Sequence, residues 1–168
     1  MINKQPDRVQ RLFFDDNGKI PNNPTLPALL YSVKEHHLHE LEQTFRSNGW
    51  ESTWYGSIFT YHHFHSNSHE ALAVIRGSAS LHLGGPQGEV ISVTSGDILL
   101  LPAGVGHKLL DSDDIFQVMG AYPHTREIDL YTGDENNHEV VCRNIHHVEL
   151  PRLDPFYGEA GPLQNYWK

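Results

Sequence analysis

The sequence predicts an all-β protein, a single jelly-roll barrel with a short N-terminal helix and irregular terminal extensions. Between Trp54 and Tyr122, short apolar runs alternate with turns at Gly77, Gly84-Gly85, Ser95-Gly96-Asp97 and Pro102-Ala103-Gly104. Many short, evenly spaced strands belong to barrels and sandwiches. Within one run, Ala79, Leu81 and Leu83 alternate with Ser80 and His82, the period of a strand buried on one face. Ile98-Leu99-Leu100-Leu101 is apolar at every position, so that strand should be covered on both faces.

In chain order, residues 1–50 are expected to form an arm and a short helix packed on the barrel. Residues 51–123 form the barrel, and 124–168 an extension on its outside, all within one structural domain. The arm is polar and rich in Pro and Asn, as in Pro21-Asn22-Asn23-Pro24, with one short edge strand over 11–14. Leu38, Leu41 and Phe45 at helical spacing predict a helix over 35–48, closed by Asn48-Gly49. Strands follow over 57–65, 71–76, 79–83, 90–93, 98–101 and 116–121. Pro151, Pro155 and Pro162 keep elements in the tail short.

Acidic residues outnumber basic ones, giving a formal net charge of -9, and no basic block is present. That argues against nucleic-acid binding. No stretch is long and apolar enough for a membrane span, and the N-terminal region lacks an apolar signal core, so a cytoplasmic protein with no membrane partner is expected. Cys142 is the single cysteine, which excludes an internal disulfide and suits a reducing compartment. In the run Val140-Val141-Cys142 it reads as a buried strand thiol.

Two stretches carry chemistry. In Tyr61-His62-His63-Phe64-His65-Ser66-Asn67-Ser68-His69-Glu70, His63 and His65 are two apart. On a strand they face the same side about 7 Å apart and converge on one ion. A turn at Ser66-Asn67-Ser68 brings Glu70 alongside as a third donor. In the second stretch, Gly96 to His107, a buried strand ends at Pro102 and a glycine turn delivers His107 as the fourth. Three nitrogens and one oxygen suit a divalent transition ion: Fe, Mn, Ni, Zn, Co or Cu.

These stretches resemble the paired signatures of the cupin (RmlC-like) superfamily. The first runs His-x-His, four residues, Glu, six residues, Gly, met by His63, His65, Glu70 and Gly77; its preceding glycine, Gly56, lies one residue early. The second runs Gly, five residues, Pro-x-Gly, two residues, His, three residues, Asn, met by Gly96, Pro102, Gly104 and His107, with Asp111 in place of Asn. More narrowly, YHHFHSNSHE, PAGVGHK and MGAYP are similar to an uncharacterised, YjlB-like bacterial cupin group. The resemblance implies one metal ion on His63, His65, Glu70 and His107, a small-molecule ligand, and dioxygenase or isomerase chemistry with Glu70 also serving as a base. A non-catalytic binding protein is the runner-up reading, and a structural metal the third. Pairing through sheet edges, common among cupins, implies a homodimer.

Alternatives sit beside these assignments. His69 rivals Glu70 if the register slips by one, but Leu72 and Val74 share the parity of Glu70 and would fill the barrel. Ala71, Ala73 and Ile75 then face outward under the arm, the tail or a second subunit. His62, the His36, His37, His39 cluster and His146-His147 read as surface or structural histidines. By parity, Phe59 and Tyr61 join Leu72 and Leu109 in lining the pocket, with Met119 or Phe116 closing its far end.

Overall fold

A computed structural model describes residues 5–123 and 127–168. Among the described residues nine strands form two sheets, and every strand pair is antiparallel. The strands are β1 (Val9–Leu12), β2 (Ala28–Ser32), β3 (Glu51–Gly56), β4 (Glu70–Arg76), β5 (Ser78–Leu83), β6 (Glu89–Thr94), β7 (Asp97–Leu101), β8 (His107–Ser112) and β9 (Gln117–Tyr122). The larger sheet has the order β1-β2-β7-β4-β9-β3, the smaller β6-β5-β8. This is the jelly-roll barrel that the turn spacing predicts.

The alternation along β4 builds two apolar layers. Leu72 and Val74 point between the sheets, where they meet Leu81, Leu83, Ile91, Leu99, Leu101 and Val118. Ala71 and Ala73 point the other way, with Ile98, Leu100, Met119 and Ala121. Thus β7 is covered on both faces, as its unbroken apolar run requires. The outer layer is closed by the chain itself: Leu41 and Phe45 from the arm side, Phe156, Leu163 and Trp167 from the tail. The apolar back of β4 therefore offers no argument for a second copy.

The arm does more than lie on the barrel. It contributes β1 and β2 to the larger sheet, with β2 paired to β7 along Leu29–Leu100, Leu30–Leu99 and Tyr31–Ile98. The helical segment begins as a 3-10 turn over Glu35–Glu40 and continues as α1 (Leu41–Ser47), ending at Asn48-Gly49 with Gly49 at φ +84. Two further helices lie in the tail, α2 (His138–His146) and α3 (Pro162–Tyr166). Cys142 sits on α2, half-buried, not on a strand. The β-branched pair before it suggested a strand, but Val141 and Ile145, one helical turn apart, are the residues that bury. No helix among the described residues is long and apolar enough to cross a membrane.

Candidate metal centre

The segment before β4 is the main local departure from expectation. Residues 57–65 form no strand; only Phe64 and the bridge between His63 and His107 are β-like. The histidines are held instead by the second motif. His63 N donates to His107 O at 3.1 Å and His107 N returns a bond to His63 O at 2.9 Å. Gly104 N donates to His65 O at 2.8 Å. The turn can approach this closely because Gly104 has φ +93, and a Cβ there would lie 2.5 Å from Asn22 O. The next residue but one, Gly106, is pinned by buried Asn22, whose Oδ1 accepts its N–H at 3.1 Å.

His63, His65, Glu70 and His107 all line one cavity of about 290 Å³ inside the barrel. His107 Nε2 lies 3.2 Å from Glu70 Oε1, and His65 Nε2 lies 3.5 Å from Glu70 Oε2. Donor atoms of His65, Glu70 and His107 fall mutually within 4.8 Å, close enough to share one ion. His63 stands just outside that group; its ring packs on His107 with centroids 4.1 Å apart.

Every imidazole is oriented by a backbone carbonyl. Nδ1–H donates to Tyr61 O at 2.9 Å in His63, to Asp129 O in His65 and to Val105 O at 3.0 Å in His107. A carbonyl only accepts, so Nδ1 carries the proton, and in His65 and His107 Nε2 is the nitrogen turned to Glu70. A bare lone pair facing a buried carboxylate would be repulsive. Each Nε2 beside Glu70 therefore needs a proton or a metal cation between them, which is the donor chemistry a divalent ion fits.

The electrostatics agree. Burial would raise the Glu70 pKa, but the charge of His65 and the hydrogen bonds of His107 and His65 outweigh it and hold the carboxyl well below its usual range. Burial would lower His65, yet Glu70 and then the Asp129 carbonyl raise it. His63 is lowered to about 3, by burial first and the neighbouring His107 second. Burial, then Glu70, raises the Tyr122 phenol and keeps it protonated.

His69 belongs elsewhere. Its Nδ1 accepts from Ala103 N at 2.9 Å, its Nε2 lies 3.2 Å from Glu149 O, and its ring packs on Trp167 at 4.9 Å. Glu70, one residue on, takes the opposite face of β4 and enters the cavity.

The expected pocket needs correction at three positions. Phe59 and Leu72 line the cavity, but Tyr61 is exposed and stacks on the outer side of Phe59 at 5.0 Å. Strand parity fails there because 57–65 is irregular. Leu109 packs against the inter-sheet core and does not reach the cavity lining. Met119 lies in the outer layer, because β9 turns Val118 inward and Met119 outward. In their place stand Trp54, Ile58 and Tyr122. Trp54 Nε1 donates to Tyr122 Oη at 3.2 Å, and its indole lies on Gly120, where a Cβ would fall 2.1 Å from Trp54 Cε2. Tyr122 shares the inward parity of Val118, a signal available in the sequence.

The tail supplies a further support that motif spacing does not signal. Asp129 accepts from Ser66 N and Ser66 Oγ, each at 2.6 Å, while Asn67 Oδ1 accepts from Asp129 N at 3.2 Å. Phe64 pairs with Tyr131 on the same side. Residues 127–131 thus clamp the loop that carries His63 and His65.

No protein-family model matches the chain. The uncharacterized protein YjlB of Bacillus subtilis (strain 168) is 41% identical over 159 residues, spanning 95% of this chain and 96% of that protein. Among solved structures, an acireductone dioxygenase from Bacillus anthracis with cadmium in its active centre is similar at a TM-score of 0.45 and 16% identity, over 60% of this chain and 80% of that one. An oxalate decarboxylase variant of Bacillus subtilis is similar at a TM-score of 0.40 and 14% identity, over 66% of this chain and 29% of that one. The jelly-roll barrel and both motif spacings resemble those of the cupin superfamily, and with a relative this similar along nearly its whole length the chain belongs to the family of YjlB.

Proposed function

We propose that this protein is a divalent-metal-dependent enzyme acting on a small organic molecule in the barrel cavity, by dioxygenase- or isomerase-type chemistry. One observation carries the reading. Two imidazole Nε2 atoms, oriented by carbonyls behind them, face a buried carboxylate at the wall of a cavity of about 290 Å³. A site that only stapled the barrel would be sealed by protein; this one adjoins space for a small ligand.

In this reading His65, Glu70 and His107 hold the ion and His63 completes the set from the cavity wall. A bound divalent ion supplies Lewis acidity or, for a redox-active metal, electron transfer. Ile58, Phe59 and Leu72 give the reacting molecule apolar walls. Glu70 is a weak base while paired with two imidazoles, so it accepts a proton only when a carboxylate oxygen is released from them. Tyr122 keeps its phenolic proton beside Glu70 and orients that carboxylate.

Elemental analysis of untagged protein should find near-stoichiometric divalent metal, and metal-loaded protein should take up oxygen or isomerise a member of a small-molecule panel. Protein that holds no ion under any loading condition defeats the reading. Ion retained without turnover points to a binding protein.

Asp129→Ala should weaken metal binding about 10–100-fold by loosening the Ser66 clamp beside His65, in the range seen when partners of metal ligands are removed. Competition against a chromophoric chelator reads the change, and Asp129→Asn should recover part of it. Unaltered affinity in Asp129→Ala would show that the clamp does not position His65.

A further inference from the structure

A second group of donor atoms lies outside the barrel, where the arm meets α2. Asp16 Oδ2 lies 2.8 Å from His138 Nε2, Cys142 Sγ lies 3.5 Å from the same nitrogen, and Sγ to Oδ2 is 3.9 Å. His138 and Cys142 are four apart on α2 and so share one helix face. Asp16 is brought to them across a long sequence separation, and its loop is shaped by its own Oδ1, which accepts from Gly18 N at 2.7 Å. Lys19 Nζ meets Asp134 Oδ1 at 3.1 Å, and Ile20, Phe64 and Val141 form a small buried cluster beneath.

The geometry distinguishes two chemistries. In a nucleophile relay the thiol and the carboxylate bond to opposite nitrogens of the histidine, so that a proton passes through the ring. Here both contacts fall on Nε2, and buried Nδ1 has no hydrogen-bond partner among the described residues. A triangle of sulfur, nitrogen and oxygen is instead the face of a coordination tetrahedron. Bonds of about 2.3 Å to sulfur and about 2.0–2.2 Å to nitrogen and oxygen place tetrahedral donors roughly 3.4–3.6 Å apart. The two separations to sulfur, 3.5 and 3.9 Å, lie near that value, while the 2.8 Å contact of Asp16 with His138 is a direct hydrogen bond that must open to admit an ion.

We propose that Asp16, His138 and Cys142 form a second metal site, for a thiophilic divalent cation of the zinc, cobalt or cadmium class. The thiolate selects for soft and borderline ions, the carboxylate balances charge, and the fourth position is open to water because Asp16 is exposed and the other two are half-exposed. An ion here cross-links the arm to α2. It is chemically distinct from the barrel centre, which has no sulfur donor.

That difference makes the site separately readable, since Cys142 is the single cysteine of the chain. The full-length protein is reduced with a non-thiol reductant and titrated with Co(II). A sulfur-to-cobalt charge-transfer band should appear in the parent and persist in His107→Ala, where the barrel centre is disabled. It should vanish in Cys142→Ser and collapse in His138→Ala and Asp16→Asn. Zinc added to the parent should displace the band and slow alkylation of Cys142. Absence of the band in the parent, or its full survival in both His138→Ala and Asp16→Asn, would overturn the site while leaving the barrel reading untouched. If His107→Ala folds poorly by circular dichroism, His65→Ala serves as the barrel-silent background.

Discussion

Replacing His107 with alanine should empty the barrel centre of divalent metal, while replacing His69 should not. His107 is buried, its Nδ1 is committed to Val105 O and its Nε2 lies 3.2 Å from Glu70. Metal content per chain, measured in a Cys142→Ser background to silence any contribution from α2, should fall to near zero. His63→Ala should lose less, because His63 lies outside the donor group that falls within 4.8 Å. Without metal, the His107 variant should also be less stable by about 1.5–3 kcal/mol, the scale of a lost charged hydrogen bond to a buried carboxylate. A His107→Ala protein that keeps full metal content, or a His69→Ala protein that loses it, contradicts the assignment of the centre to the inward face of β4.

The second large effect is expected far from the cavity. Asp154 is fully buried in the tail, yet four donors converge on it: Tyr31 Oη at 2.8 Å, Phe156 N at 3.0 Å, Tyr157 N at 2.9 Å and Leu163 N at 3.3 Å. It ties α3 and the turn before it to β2. Gly161 approaches so closely that a Cβ there would fall 2.3 Å from Asp154 Cβ. Asp154→Ala strands buried donors, each costing about 1–3 kcal/mol, so a total loss of about 3–4 kcal/mol is expected after relaxation. For a chain of this size that lowers Tm by roughly 6–16 °C. Asp154→Asn keeps an Oδ1 that can accept from Tyr31, Phe156 and Tyr157 and gives up only the longer Leu163 contact on Oδ2, so it should be milder, at about 1–2 kcal/mol. Denaturant titration of the two variants decides it: equal midpoints would mean that the tail is not anchored through this carboxyl.

These variants probe different layers of one design. The inner face of the larger sheet holds the cavity, and its outer face is a packed layer closed by the two chain ends. Trp167 Nε1 donates to Pro27 O at 2.8 Å and Trp50 Nε1 to Leu153 O at 2.9 Å, so the arm and tail are fastened to each other as well as to β4. The exposed salt bridges, such as Arg46 with Glu42, add little by comparison.

Local pattern determined a good deal about this protein. Period-two alternation assigns Leu72, Val74 and Glu70 to the inward face of β4 and Ala71 and Ala73 to the outward one, because successive strand side chains must oppose. Glycine and proline spacing marks the turns, because few residues tolerate their backbone angles. The two motifs name His63, His65, Glu70 and His107, which do line one cavity, but only Glu70 and His107 reach it from strands; His63 and His65 reach it from a loop bonded to the second motif.

Tertiary structure decided what depends on partners remote in sequence. Residues 57–65 have an apolar pattern that suits a strand, but their backbone bonds go to the 104–107 turn, to Leu109 and to Tyr131, so they run as a loop and Tyr61 leaves the cavity. The Asp129 clamp, the Asn22 pin beside His107 and the meeting of Asp16 with α2 each join segments dozens of residues apart. Periodicity reports only which way a side chain faces along its own element. What it faces is set by how the elements pack, and that arrangement exists only once the whole barrel has closed.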